Sequence, residues 1–396
     1  MNQPANKAVI EEALKDCEAV FVPNTDGTLN TVTNADGSPY LVTIRLNTTA
    51  PVRANLYRTS MKLMKVLHDN VHEMVTLGAV SKCPWARYAA PCLPVPKPDG
   101  TWRITTDFRD LNRAMLSYNY PAMTETDIWS RLHGCSRFSK FDMTKFFWQF
   151  RLDEASRECT AFMVPGLGMY CYNVLPMGIK IAPAIVQAFV DEVLRVPYTG
   201  RGPMNGKMCL GNICLSFMDD LIVYSDDEHH AEYVAFVMKL LKKHNVGARP
   251  QKCDLGKERI SFVGHYVDKD GLHVDHEKTA AIRKMPYPTD KAGIRRFLGM
   301  CGYLRRFIPK FGENTIHLTD LLGKDITFAS TWGTEHESEV DWLKEQLVSP
   351  PVLAFPDWSK EFIIRRDASK RGLGCTLSQV TDGVRRPIAY FSRKTV

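Results

Sequence analysis

Two adjacent carboxylates, Asp219 and Asp220, stand between two apolar runs, Cys214-Leu215-Ser216-Phe217-Met218 and Leu221-Ile222-Val223-Tyr224. Apolar runs of that length predict two strands with the acid pair at the tip of the hairpin that joins them. Neighbouring carboxylates repel one another, and the arrangement is tolerable where a cation, most simply a divalent metal ion, compensates them. Asp is also common in turns, so a plain surface turn is the other reading of the pair taken alone. A third carboxylate, Asp142, ends another strand-like run, Phe138-Ser139-Lys140-Phe141. A strand edge carrying Asp142 beside a tip carrying Asp219 would collect the oxygen ligands that two Mg2+ ions need for phosphoryl transfer.

The segments around these acids must hold them in place. Met61, Met64, Leu67, Val71, Met74 and Leu77 recur at three- and four-residue steps, which predicts an amphipathic helix capped by Ser60 and stopped at Gly78. Residues Ala89 to Leu111 read as strand, turn and strand, with the turn Lys97-Pro98-Asp99-Gly100 presenting a lysine at its edge. Helix-like and strand-like stretches alternate as far as Leu240, and two shorter helical segments follow, around Gly293 to Phe307 and Asn314 to Leu322. Before all of this, residues 1–50 carry the clusters Asn24-Thr25-Asp26-Gly27 and Asn34-Ala35-Asp36-Gly37 and read as an extended arm with turns.

Composition narrows the class. The chain has 396 residues with 44% apolar content, enough to bury the cores of two or three domains, and disordered and fibrous classes are excluded. Its longest uncharged stretch, Cys159 to Ile179, is broken by Pro165, Gly166, Gly168, Pro176 and Gly178 and reads as hairpin and turn, so no membrane partner is expected. The first residues lack the apolar core and cleavage site of a secretory leader, which makes the expected location intracellular. Eleven cysteines are scattered without a C-x-x-C pair and read as buried thiols. Charge is uneven: from Lys242 to Lys310 nine Lys and seven Arg face seven acids, net +9, while the remainder sums to −2. Such a segment is the electrostatic footprint of a nucleic-acid groove, or otherwise the solvated basic face of an ordinary enzyme.

In combination, these residues resemble the reverse transcriptases of gypsy-type LTR retrotransposons and, more distantly, of retroviruses. Phe217-Met218-Asp219-Asp220 is similar to the family's Y-x-D-D box. Val95-Pro96-Lys97-Pro98-Asp99-Gly100-Thr101-Trp102-Arg103, Asp107-Phe108-Arg109-Asp110-Leu111-Asn112, Phe141-Asp142 and Leu175-Pro176-Met177-Gly178 precede it in the family's order. Lys252-Cys253, Phe262-Val263-Gly264-His265, Phe297-Leu298-Gly299, Tyr303 to Ile308 and Asp367-Ala368-Ser369 follow it. The resemblance runs from about Val42 to the C-terminus.

It implies an α+β right-hand polymerase with these divisions: an N-terminal arm (1–50), fingers and palm (51–265), thumb (266–325), connector (326–360) and a ribonuclease H-like, β-rich start (361–396). Asp142 and Asp219, supported by Asp220, would hold two Mg2+ ions, or Mn2+ in their place. Lys97 and Arg103 would grip the incoming triphosphate, Phe147 would lie beneath the sugar and exclude a 2′-hydroxyl, and Met177 would sit where retroviral enzymes carry Gln. Lys252 matches the lysine proposed to protonate the leaving pyrophosphate, with a surface lysine facing phosphate as its alternative. Arg109 and Asn112 would position the template or, alternatively, pack the fingers. Phe262 and Gly264 would form the primer grip, and Arg295, Arg296, Arg305 and Arg306 would track phosphates from thumb helices.

Asp367 matches the first carboxylate of a ribonuclease H, which needs four acidic ligands, yet only Asp382 follows it, so that second activity is not expected from this chain. Expected partners are an RNA or DNA template, a primer strand, deoxynucleoside triphosphates and the other Pol and Gag proteins of such an element. Departures from the family are Phe217 for Tyr, the run Lys145-Phe146-Phe147-Trp148, and Met177; none removes a metal ligand. A decayed or domesticated nucleic-acid-binding protein without catalysis, and an RNA-templated RNA polymerase, are the competing readings. The first needs no paired carboxylates, and the second wants a small residue at 147.

Overall fold

The computed structural model describes residues 10–13, 15–16, 29–55, 57–97, 100–121, 123–143, 145–226, 228–370 and 372–395. The Asn24–Gly27 turn of the expected arm lies outside them, whereas Asn34–Gly37 is a turn closed by Asn34 N–H on the Ser38 carbonyl at 2.8 Å. By contacts the chain divides into two compact units, Met1–Met123 with Ser139–Gly256, and Thr124–Phe138 with Lys257–Val396.

In the first unit, helix α1 (Met61–Thr76) starts where expected: the Ser60 hydroxyl accepts from Leu63 N–H, and Leu67, Val71 and Met74 are buried. Gly78, at φ +69°, stops it. Strands β1 (Val80–Lys82), β2 (Ala90–Pro96) and β3 (Trp102–Thr106) precede the short helix α2 (Arg109–Ala114). With β5 (Phe162–Val164) and β6 (Gly168–Tyr172) they form a five-stranded sheet in the order β1-β6-β5-β2-β3. The β2–β3 hairpin sets Val95 opposite Arg103 and Pro96 opposite Trp102. Pro98 and Asp99 of its turn lie outside the described residues.

A second sheet of this unit contains β4 (Arg137–Asp142), β7 (Cys214–Phe217), β8 (Asp220–Ser225) and β9 (Asp254–Lys257), in the order β9-β4-β8-β7. Helix α4 (Ala182–Leu194) packs on β7 and helix α5 (His230–Lys243) on β8. Ile185, Phe189 and Val193 of α4 and Tyr233, Val237 and Leu241 of α5 are buried, each contributing about 1.5–3 kcal/mol by leaving water. His230, buried at the start of α5, hydrogen-bonds Ser139 Oγ of β4 at 2.8 Å and Ser225 Oγ of β8 at 2.9 Å. One imidazole thereby fastens the strand that ends in Asp142 to the strand that begins at Asp220.

The second unit begins with α3 (Glu125–Arg131), whose Trp129 ring meets Phe262 edge-on at 6.4 Å and His265 at 5.8 Å. Phe262 ends β10 (Arg259–Phe262), and His265 begins β11 (His265–Asp268), which pairs in turn with β12 (Gly271–His273). Helices α6 (His276–Arg283) and α7 (Lys291–Tyr303) follow. The helix expected from Gly293 to Phe307 is α7, capped by Asp290 on Gly293 N–H at 2.6 Å and continued as a 3₁₀ turn at Arg305–Phe307. The segment expected from Asn314 to Leu322 is helical at Ile316–Asp320. Strands β13 (Ile363–Ala368), β14 (Gly372–Thr381) and β15 (Val384–Lys394) form an antiparallel sheet, the β-rich module expected after Phe362. Among the described residues no helix is long and apolar enough to cross a membrane.

Candidate active site

The β7–β8 hairpin places Phe217 opposite Asp220 and leaves Met218 and Asp219 as its two-residue turn. Strand β4, adjacent to β8, ends at Asp142. Asp219 is held above the usual carboxylate range by loss of water around the tip and then by Asp220 and Asp142. Asp220 is likewise raised by desolvation and by Asp142, while Lys140, two residues back along β4, works in the opposite sense. Asp219 and Asp220 are thus both raised in part by Asp142, as neighbouring negative charge requires.

Among the described residues no group of three or more His, Cys, Asp or Glu side chains is placed so that it could by itself hold a metal ion. Mg2+ seldom relies on such a group: it takes one or two carboxylates and completes its octahedron with water and substrate phosphate. The hard oxygen donors of Asp142, Asp219 and Asp220 fit such an ion.

Residues after β4 bring the next side chains in. Lys145 adopts a left-handed conformation at φ +44° and begins a 3₁₀ turn, Phe146–Gln149. That turn drives Phe146 into the core and leaves Phe147 partly buried against it. On the β2–β3 hairpin Arg103 faces Val95, and Lys97, two residues beyond Val95, shares that side. Both cations are exposed. Lys252 is exposed at the end of the 3₁₀ turn Pro250–Lys252, which hangs from the end of β4 through Arg249 N–H on the Asp142 carbonyl at 2.9 Å.

Several expected contact residues are engaged elsewhere. Arg109 turns its fork onto Asp107, with Nε at 2.9 Å and Nη2 at 2.6 Å, and Nη2 also reaches the Tyr57 hydroxyl. These bonds hold the Asp107 carboxyl well below its usual range. The Asn112 amide is used at both ends, donating to the Gly178 carbonyl at 2.8 Å and accepting from Lys180 N–H at 2.8 Å. It is a strut beneath the Met177–Gly178 turn, and Met177 is 53% exposed.

In the second unit Phe262 is fully buried against Trp129, so its side chain supports the Val263-Gly264 tip from below. Arg306 also departs from expectation: it turns inward to Glu125 at 3.3 Å, and burial lowers its pKa, whereas Arg295, Arg296 and Arg305 are exposed. Asp367 pairs with Lys310 at 2.8 Å.

Residues 95–267 match the family described as reverse transcriptase (RNA-dependent DNA polymerase). Residues 332–396 match an RNase H-like domain found in reverse transcriptase. The chain thus carries a reverse transcriptase-like region followed by an RNase H-like one. It is 32% identical over 361 residues, 89% of its length, to the retrovirus-related Pol polyprotein from transposon 412 of Drosophila melanogaster. It is 29% identical over 333 residues, 84% of its length, to the transposon Tf2-3 polyprotein of Schizosaccharomyces pombe. It spans 28% and 24% of those two polyproteins, respectively. Among solved structures, the foamy viral protease-reverse transcriptase in complex with RNA/DNA hybrid superposes with a TM-score of 0.82 at 20% identity, over 100% of this chain and 50% of that one. The same protein in complex with dsDNA gives 0.83 at 21% identity, over 100% of this chain and 78% of that one. The fold of the chain is accordingly that of a reverse transcriptase polymerase followed by an RNase H-like start.

Motif reading missed the polar side chains behind the acid hairpin. Gln187 and Asp191 lie one turn apart on α4, whose remaining residues are apolar except the exposed Glu192, and both are buried. A polar pair at i and i+4 inside an apolar helix is the signal that could have found them.

Proposed function

We propose that this chain is the polymerase part of a gypsy-type LTR retrotransposon Pol polyprotein, adding deoxynucleotides to a primer 3′-hydroxyl on an RNA or DNA template. The observation that carries the proposal is the β7–β8 hairpin, which puts Asp219 in its turn and Asp220 at the start of β8, beside the strand that ends at Asp142. Asp142 and Asp219 would hold two Mg2+ ions, or Mn2+, with Asp220 beside them. When bound, these ions would activate the primer hydroxyl and offset the charge of in-line phosphoryl transfer.

The chain's own residues do the rest. Lys97 and Arg103, on one side of their hairpin, are suited to a triphosphate, one as a mobile point charge and the other as a fork. Phe147, steadied by the buried Phe146, is assigned to the sugar, with Met177 exposed on the turn that Asn112 supports. Lys252 is assigned to the leaving pyrophosphate. Arg295, Arg296 and Arg305 are assigned to template-primer phosphates; Phe262, Gly264, Arg109 and Arg306 hold the surfaces that carry such contacts. Other Pol and Gag segments are proposed partners of the same polyprotein, acting inside the cell.

Primer extension on poly(rA)·oligo(dT) with dTTP or UTP tests this reading. Incorporation of dTTP far above UTP is expected. Template binding without incorporation of either would leave a nucleic-acid-binding protein, and equal use of UTP would make it an RNA polymerase.

A further inference from the structure

Met218 has φ +55°, and of the two turn residues it alone lies in the left-handed region. The first position of such a two-residue hairpin ordinarily asks for glycine. A left-handed residue with a side chain persists only where its surroundings impose it. Packing does not impose it here, since Met218 is 53% exposed. A hydrogen bond does: Met218 N–H donates to Gln187 Oε1 at 3.1 Å.

The Gln187 amide is itself oriented. Its Nε2 donates to Asp191 Oδ1 at 2.8 Å and to Ser216 Oγ at 2.7 Å, while Ser216 Oγ donates to Asp191 Oδ1 at 3.1 Å. The Tyr120 hydroxyl donates to Asp191 Oδ2 at 2.9 Å. With its nitrogen turned to Asp191 Oδ1 and Ser216 Oγ, the Gln187 amide has its oxygen left for Met218 N–H. Gln187, Asp191 and Ser216 are all buried, where an unmade hydrogen bond is expensive and the arrangement is correspondingly rigid.

We infer that Gln187, oriented by Asp191, is a positioning residue that imposes the left-handed Met218 turn and so fixes where the Asp219 carboxylate is presented. The inference rests on the polymerase reading for its consequence in catalysis but not for its geometry. Gln187→Met, close in size, removes both ends of the link.

The test labels methionine with 15N and follows amide hydrogen exchange at Met218, alongside backbone exchange at Ile222 and Val223 by mass spectrometry. In Gln187→Met the Met218 amide is expected to exchange at least about tenfold faster with β8 unchanged, and kcat for extension to fall about tenfold with template-primer Kd unaltered. In a Met218→Gly background, where the backbone needs no help, the kcat loss on adding Gln187→Met should shrink to about twofold or less. Asp191→Asn, which keeps the shape and removes the orienting charge, should show the same pattern more weakly, and it serves if Gln187→Met does not fold. Exchange at Met218 equal to wild type, faster exchange spread equally over β8, or an undiminished kcat loss in the glycine background would each overturn the inference. Wild-type protein with no extension but the expected exchange pattern would instead overturn the polymerase reading alone.

Discussion

Lys278 donates its ammonium to the carbonyl of Gly264 at 2.9 Å, joining helix α6 to the tip of the β10–β11 hairpin. The Tyr303 hydroxyl, from the end of α7, donates to the neighbouring Val263 carbonyl at 3.2 Å. A β-carbon at Gly264 would lie 2.3 Å from the Tyr303 oxygen and 2.7 Å from Lys278 Nζ, and φ is +72°. Gly264→Ala is therefore expected to lower unfolding free energy by about 1–3 kcal/mol. Gly299→Ala, on α7 with nothing within 4 Å, should raise it by about 0.5–1 kcal/mol. Urea unfolding of the two variants against wild type gives the comparison.

Asp142→Asn and Asp219→Asn should each abolish extension while leaving template-primer affinity nearly intact, because phosphate contacts dominate affinity. Loss of one ligand removes several kcal/mol of charge stabilisation. Retention of more than about a tenth of the extension rate by Asp219→Asn would contradict the site assignment.

Phe147→Val should relax discrimination against ribonucleotides. The kcat/KM ratio for rGTP over dGTP is expected to rise on the order of 10²-fold, about 3 kcal/mol. An unchanged ratio together with a lowered Tm would make Phe147 a packing residue instead, as its contact with the core allows.

Exposed and inward arginines should separate in a salt titration of template-primer binding. Arg295→Ala and Arg296→Ala are each expected to reduce the slope of log K against log salt by about one. Arg306→Ala should leave the slope unchanged and cost about 1–2 kcal/mol of stability, because it strands the Glu125 pairing and the packing around it.

His265 supplies a pH dependence. It is buried among Trp129, Tyr303 and Phe307, and burial first, then Arg306 and Lys278, push its pKa down to about 4, with Asp275 opposing. The fold holds the neutral ring, so its contribution is complete above the unfolded value near 6.5 and is lost as pH falls towards 4, to a limit of about 3 kcal/mol. Urea midpoints at pH 7.5 and 4.5 should differ less in His265→Phe than in wild type. An equal difference would remove His265 as the cause.

Features that depend on neighbours in sequence were legible. Ser60, Gly78 and the spacing of Leu67, Val71 and Met74 mark α1, and two apolar runs around an acid pair mark the β7–β8 hairpin, because capping, periodicity and turn chemistry act over a few residues. The uses of Asn112, Phe262 and Arg306 were not. Their partners Gly178, Trp129 and Glu125 lie 66, 133 and 181 positions away, and only folding brings them together. Arg305 and Arg306 are adjacent and chemically identical, yet on a 3₁₀ turn one faces water and the other the interior.

The Asn112 strut gives the first unit a mechanical character. With one amide tied to both Gly178 and Lys180, and Lys180 Nζ tied to the Met115 carbonyl at 2.5 Å, α2 and the Met177 turn form a single lever. Loss of the Asn112 amide would leave the Gly178 carbonyl and the Lys180 N–H without this partner at a single stroke, so the helix and the turn stand or fall together.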